Sequence, residues 1–271
     1  MWIIEMFELP FIARAAVVGV LVSLCAAVLG VSRVLKRYSM IGDGLSHVGF
    51  GALAIATALN MAPLPVTIPV VVVAAFLLLR LSQNSKVQAD AAIAMVSTAS
   101  LAIGVTVVSL TTGTNADVNS YLFGSILSVS PSDAVLSVVL CLLVLIVFIL
   151  FYSRIFAVTF DETFAGATGA HEKGYNMVIA LLTALVIVLG MRMMGALLIS
   201  SLVIFPALTA MRLFKSYLKV TLASAVISVV CFLLGLIFSY GFNTPSGASI
   251  VIVNILAFLL CSAISWIKSR M

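Results

Sequence analysis

The chain has 271 residues, 63% of them hydrophobic and only 8% charged, with a mean hydropathy of +1.31. A soluble domain is roughly half apolar and about one-quarter charged, so a soluble enzyme, a DNA-binding protein and a disordered linker are excluded. The net charge of +5, from 14 Lys and Arg against 9 Asp and Glu, therefore bears on membrane orientation before it bears on any acidic partner.

At the amino end, Glu5 and Glu8 stand where a secretory leader would carry Lys or Arg, so a cleaved leader is not expected. A helix needs about 20 apolar residues to cross a hydrocarbon core about 30 Å thick. By that ruler, spans are predicted near 10–32, 40–59, 65–82, 89–110, 132–153, 174–191, 193–212, 218–240 and 248–267. Pro63 and Pro65 break the chain between the second and third spans, and Gly-Phe-Asn-Thr-Pro-Ser-Gly at 241–247 breaks it between the last two. Ser130-Pro131-Ser132-Asp133 reads as a helix start, with a hydroxyl cap and Pro in the first turn. The seventh span follows the sixth almost without a connection, so eight crossings plus a broken or re-entrant helix is the alternative to nine.

Two segments lie outside this pattern. Residues 112–131, with Tyr121-Leu122-Phe123-Gly124, are semi-apolar and too short to span, and either rest on the outer surface or dip into the membrane. Residues 157–175 form the longest loop on the opposite side. There Asp161-Glu162 before Phe164-Ala165 predicts a short helix with its acids in the first turn, where the helix dipole favours them. With Gly166 and Gly169 permitting a close approach, it is either a docking element or a connector.

Nine crossings with the amino end outside place 12 of the 14 cations in the cytoplasm, leaving only Arg14 and Arg192 outside. The reverse orientation would invert that ratio, so the excess of basic residues fixes the sidedness. Cys25, Cys141, Cys231 and Cys261 each sit in an apolar run with no CxxC spacing, which predicts buried small hydrophobes and no disulfide or zinc site.

An ionisable group within hydrocarbon costs about 2.5–3.5 kcal/mol on the lenient insertion scale and is functional by default. Nearly every charge sits at a span end; the exception is Asp43-Gly44-Leu45-Ser46-His47. Counted from Arg37 at 1.5 Å per residue, Asp43 lies ~9 Å and His47 ~15 Å into the membrane. Their i,i+4 spacing places carboxylate and imidazole on one helix face with Ser46 beside them. Three readings compete: a pair that satisfies itself, a proton relay, or a metal-contacting pair suited to Zn²⁺ or Mn²⁺. Two ligands are too few to hold an ion, but two copies of the chain meeting on this face would supply two Asp and two His. Gly42, Gly44, Gly49 and Gly51 are expected to serve such a close helix approach. Asp90 reads as an acid in the first turn of the fourth span, His171 as a solvated side chain, and Met191, Met193 and Met194 as apolar filler around Arg192. Pro206 is expected to kink the seventh span or free carbonyls, shaping a path or only the packing. No GxxxxGK[ST] is present, so any ATP hydrolysis belongs to another chain.

Residues 38–54, YSMIGDGLSHVGFGALA, resemble the second-helix signature of bacterial ABC permeases for zinc, manganese and iron uptake. DVNSYLFGSILSVSPSD (117–133), GALLISSLVIFPALTAMR (195–212) and NTPSGASIVIV (243–253) resemble that family's other landmarks in the same order. The wording MIGDGLSH and YLFGS is nearest to the zinc importers. The resemblance covers nearly the whole chain, which is expected to be one transmembrane domain over 1–271. It implies an all-α polytopic bundle of about eight to nine helices in the inner membrane, with the homodimeric ABC importer permease fold. It also implies two cytoplasmic ATP-binding subunits, an extracytoplasmic metal-binding protein, no permanently bound cofactor, and Zn²⁺, Mn²⁺ or Fe²⁺ as cargo.

By that pattern Asp43 and His47 contact the metal, and Asp161, Ala165 and Gly169, spaced Asp-x3-Ala-x3-Gly, belong to the segment coupling to the ATPase. Ser46, Asp90 and Pro206 are candidates for shaping the path or gate. Gly49-Phe50-Gly51 departs from the small or aliphatic residues expected there. Because imidazole must be neutral to ligate, uptake is expected to fall as acid protonates His47. The rival class is a proton-coupled secondary cation transporter that uses Asp43 and His47 as a relay and needs no ATPase.

Overall fold

The computed structural model describes residues 10–36, 38–84, 89–112, 124, 130–169 and 171–270. These residues are helical apart from short connections, with no strand among them. The helices are α1 (Pro10–Leu35), α2 (Ser39–Ala58), α3 (Pro63–Asn84), α4 (Ala89–Thr112), α5 (Pro131–Leu150), α6 (Tyr152–Phe160), α7 (Glu162–Ala167), α8 (Glu172–Met194), α9 (Ala196–Leu213), α10 (Tyr217–Phe242) and α11 (Ser246–Arg270). Each of the nine predicted spans is a helix. The segment 132–153 ends early, because the chain breaks at Phe151 and restarts as α6 within the same apolar run. Of the segment 112–131, residues 113–123 and 125–129 lie outside the described residues, as do Arg37 and Lys86. Gly124 is described, and a Cβ there would stand 2.2 Å from the Met194 carbonyl carbon, so it packs on the α8–α9 turn.

Eight of the described helices are long and apolar enough to cross a membrane. The helix that falls short is α2, which has the length, 20 residues, but carries Gly42, Gly44, Gly49, Gly51, Asp43 and His47. The choice between eight and nine crossings thus turns on α2, not on the pair at 174–191 and 193–212 that the sequence brought under suspicion. Those two segments form an antiparallel hairpin on one residue, Gly195, whose φ of 87° and ψ of 157° favour glycine. Across the hairpin, a Cβ on Gly190 would lie 2.4 Å from the Ile199 side chain.

The core is a cluster of aliphatic side chains from α1, α2, α3, α5, α8 and α9, among them Val22, Leu29, Ile41, Leu45, Leu182 and Leu198. Small polar residues join helices where apolar attraction offers little. Ser228 Oγ donates to the Ser23 carbonyl at 2.9 Å, and Ser32 Oγ lies 2.8 Å from Tyr217 Oη, tying α1 to α10. Leu, Ile, Val and Phe side chains remain exposed along α4, α5, α10 and α11, a surface for lipid rather than water. Ser130 caps α5 as expected, its hydroxyl accepting from the Asp133 amide at 3.2 Å with Pro131 in the first turn. Cys25, Cys141 and Cys231 are buried and all four cysteines are free.

The contacts sort the charges by end. Lys36, Glu162 and Asn176 meet at one end, where Ser265 also bonds the Arg212 carbonyl. At the other end Arg192 pairs with Asp133 at 2.9 Å.

Candidate functional site

Within the bundle α2 is held on most sides, and its glycines are the reason. A Cβ on Gly44 would stand 2.8 Å from the Ile93 side chain of α4, and one on Gly51 would stand 2.8 Å from the Ser100 carbonyl oxygen of the same helix. Gly49 faces Met191 of α8, and Gly42 faces Val203 of α9 and Ile187 of α8. The expectation that these glycines admit a second copy of the chain is therefore corrected: they admit the chain's own helices. Gly44 and Gly51 are seven residues apart, as are Ile93 and Ser100, so α2 and α4 run parallel in step. Phe50 is buried with its ring over Gly104 of α4, where a Cβ would lie 2.5 Å away. That seat accounts for the departure at Gly49-Phe50-Gly51.

What the packing leaves open is the stripe Met40, Asp43, His47, at i, i+3 and i+7 on one face of α2. From Ser39 at 1.5 Å per residue, Asp43 is ~6 Å and His47 ~12 Å along the helix. His47 Nε2 and Asp43 Oδ2 are 3.7 Å apart, beyond a hydrogen bond, with side chains 21% and 39% exposed. His47 Nδ1 is buried and has no hydrogen-bond partner. A buried polar atom without a partner is uncommon and calls for a role. The two side chains thus stand side by side on the open face, with the His47 Nδ1 buried behind it. Among the described residues no group of three or more His, Cys, Asp or Glu forms.

Ser46 does not join this face. It is fully buried, donates to the Asp43 carbonyl at 2.7 Å, and lies 3.2 Å from Ser200 Oγ of α9. Its place is to fasten α2 to α9 behind the pair, and Ser200 carries no local signal that would single it out. Pro206 is buried inside α9, which continues through it from Ala196 to Leu213. Asp90 is exposed in the first turn of α4, where the helix dipole alone favours it. Arg33 lies in the last turn of α1, at a span end as expected, and is also buried, 3% exposed. Its Nε donates to Thr183 Oγ1 of α8 at 3.1 Å, and one terminal nitrogen has no partner.

At the cation-rich end, the predicted short helix is α7. Asp161 is its N-cap, the carboxylate accepting from the Phe164 amide at 2.9 Å. Ala165 is fully buried against Val158 of α6 and Tyr175 of α8, where a larger side chain would lift the helix. Gly169, at φ 83°, ends the segment in a left-handed turn. Asp161, Ala165 and Gly169 therefore cap, seat and terminate α7, and the face it presents outward is Thr163, Phe164 and Ala167, with Phe164 63% exposed. His171 is exposed beside it, as expected. A cavity of about 370 Å³ lies next to this element, lined by Phe151, Arg154, Gly169, His171 and Tyr175.

Comparison with known proteins places these features in a family. The family model for the ABC 3 transport family matches residues 8–265. The chain is 30% identical over 255 residues to the high-affinity zinc uptake system membrane protein ZnuB of Haemophilus influenzae, covering 94% of this chain and 97% of the relative. It is 29% identical over 253 residues to the manganese import system permease protein ScaB of Streptococcus gordonii, covering 93% and 91%. Among solved structures, PsaBC from Streptococcus pneumoniae in complex with Fab superposes with a TM-score of 0.85 at 27% identity, over 95% of this chain and 93% of that one.

Proposed function

The chain belongs to the ABC 3 transport family, and from that premise we propose that it is the membrane-spanning permease subunit of an ATP-driven importer for a divalent metal ion, Zn²⁺ foremost and otherwise Mn²⁺ or Fe²⁺. The observation that carries this reading is the open stripe of α2, where Asp43 and His47 stand 3.7 Å apart with the His47 Nδ1 unpartnered. An oxygen and a nitrogen ligand suit both Zn²⁺ and Mn²⁺. The relatives named for zinc and for manganese support metal uptake and do not divide the two ions.

In mechanism, an extracytoplasmic binding protein releases the dehydrated ion over the axis of two permease copies. Asp43 and His47 of each copy take it in turn for the hydration shell, giving two carboxylates and two imidazoles. Two ligands per copy hold an ion only while both copies present them, so a small displacement of α2 suffices to release it inward. The energy comes from ATP-hydrolysing subunits docked on the exposed face of α7, in the inner-membrane orientation set by the cations. Proteoliposome uptake of Zn²⁺ and Mn²⁺ in competition, with Asp43→Ala and His47→Ala, tests the assignment. Loss of even an outer-shell group around a metal lowers affinity about 10–100-fold, so each variant is expected to lower uptake at least that far. Undiminished uptake in both would sink it. A proton relay would instead leave uptake running without any ATPase and stopped by an uncoupler.

A further inference from the structure

Lys36 follows α1 directly, and three residues later α2 begins at Ser39. Its ammonium donates to Glu162 Oε1 at 2.7 Å and to Asn176 Oδ1, while Asn176 Nδ2 donates to the same Glu162 oxygen at 3.1 Å. Glu162 is the first residue of α7 and Asn176 lies in the second turn of α8. Three side chains from three distant parts of the chain thus close a ring at the root of the metal helix. Lys36 is 7% exposed in its side chain and Asn176 is 4% exposed, while the Glu162 side chain, 42% exposed, closes the ring on its solvent side. The backbone on either side is also fixed: the Lys36 amide bonds the Ser32 carbonyl, the Tyr38 amide the Arg33 carbonyl, and the Ile41 amide the Tyr38 carbonyl. Lys36 and Tyr38 are thus tied to the last turn of α1, Tyr38 is tied in turn to the first turn of α2, and Asp43 stands one turn further on.

We propose that the Lys36–Glu162–Asn176 ring is the clutch of the transporter, the positioning contact through which displacement of α7 is converted into displacement of α2. It rests on the reading of α7 as the ATPase-docking element and of α2 as the metal helix. The ring leaves the outward face of α7 untouched, since Thr163, Phe164 and Ala167 point away from it into solvent. Holding and transmitting are thus separable in this chain: Phe164 engages the partner and Glu162 passes the motion on. The charge states agree with a closed ring. Burial lowers the Lys36 ammonium from its ordinary value, opposed by the hydrogen bond and field of Glu162 and by the field of Glu172. Burial works to raise the Glu162 carboxyl, but the hydrogen bonds from Lys36 and Asn176 and the Lys36 charge bring it below the usual 4.5.

The test uses the permease reconstituted with its ATP-hydrolysing subunit, with metal uptake and ATP turnover measured on the same vesicles. Glu162→Gln and Lys36→Met are expected to keep the subunit bound and hydrolysing while the ATP consumed per ion imported rises about tenfold, the size of an ordinary coupling free energy. The paired swap, Lys36→Glu with Glu162→Lys, is expected to recover much of that ratio. Should either single variant fail to assemble, Asn176→Ala, which keeps both charges, carries the same expectation. An unchanged ratio in the assembled variants overturns the clutch. So does loss of the subunit together with uptake in all three variants, Asn176→Ala included, which would make the ring a brace for docking alone. A wild-type permease that never retains an ATPase subunit would instead overturn the underlying reading, and it would show before any variant is made.

Discussion

Helices α2 and α5 have the same length, 20 residues each, and opposite surroundings. α5 has the highest hydropathy of the candidate spans, 3.1, yet buries only Ala134, Ser137, Cys141, Val144 and Phe148. α2 buries 13 of its residues and is the long helix too poor in apolar side chains to pass as a span. Between these two helices hydropathy runs opposite to burial, although α1, at 2.4, is 78% buried. A helix enclosed by other helices gains more from glycine, which lets backbones approach, than from leucine. A carboxylate and an imidazole at membrane depth are costly against hydrocarbon, so a helix enclosed on most sides by protein is the one suited to carry them. Among the described helices, the one where hydropathy dips is also the one that carries a carboxylate and an imidazole away from its ends.

The contrast can be broken most sharply by asking what each helix faces. Met40 and Val139 are both exposed, at 46% and 56%, but Met40 shares its face with Asp43 and His47 while Val139 lies on the apolar side of α5. A thiol reacts as the thiolate, which forms in water and not in hydrocarbon. Met40→Cys is therefore expected to react with a water-soluble maleimide many times faster than Val139→Cys, and to slow when Zn²⁺ is present. Equal rates would put both faces in lipid. A smaller effect is expected from Gly51→Leu, whose Cβ would press on the Ser100 carbonyl oxygen 2.8 Å away. Backbone cannot give way as a side chain can, and overpacking of this kind costs about 1–3 kcal/mol, readable as a lower melting temperature in detergent. The smallest change is expected from Val139→Ala on α5, within about 0.5 kcal/mol in the same assay, as for exposed sites generally. If Val139→Ala destabilised as much as Gly51→Leu, α5 would have a protein neighbour on that face.

Much of the fold was legible because apolar run length converts directly into helix length: the predicted 89–110 and 218–240 are Ala89–Thr112 and Tyr217–Phe242. The break at Phe151 was not: the apolar run fades into Tyr152-Ser153-Arg154, which marks where the span ends but not where the backbone turns. The pair Asp43 and His47 was legible from i,i+4 spacing, which fixes a shared face wherever the helix goes. Their distance and the unpartnered His47 Nδ1 were not, because these depend on what surrounds α2. Ser46 illustrates the same limit: it adjoins the pair in sequence, yet a turn of 100° per residue carries it to α9 and Ser200. The glycines announced a close approach without naming the neighbour. Lys36 and Glu162, 126 residues apart, left no local trace at all. A cation at a span end looks like every other orienting charge until folding brings its carboxylate to it.

The turn at Gly195 gives the bundle one more property. With a single residue between them, α8 and α9 cannot slide past each other, and a change at one is felt by the other as by two arms of a hairspring. One arm carries Asn176 in the ring with Lys36, and the other carries Ser200 against Ser46, behind the metal pair. The one-residue turn thus joins the helix that bears Asn176 directly to the helix that lies behind Asp43 and His47. A residue inserted at 195 would press on Gly124, which packs so closely on the turn that a Cβ there would stand 2.2 Å from the Met194 carbonyl carbon.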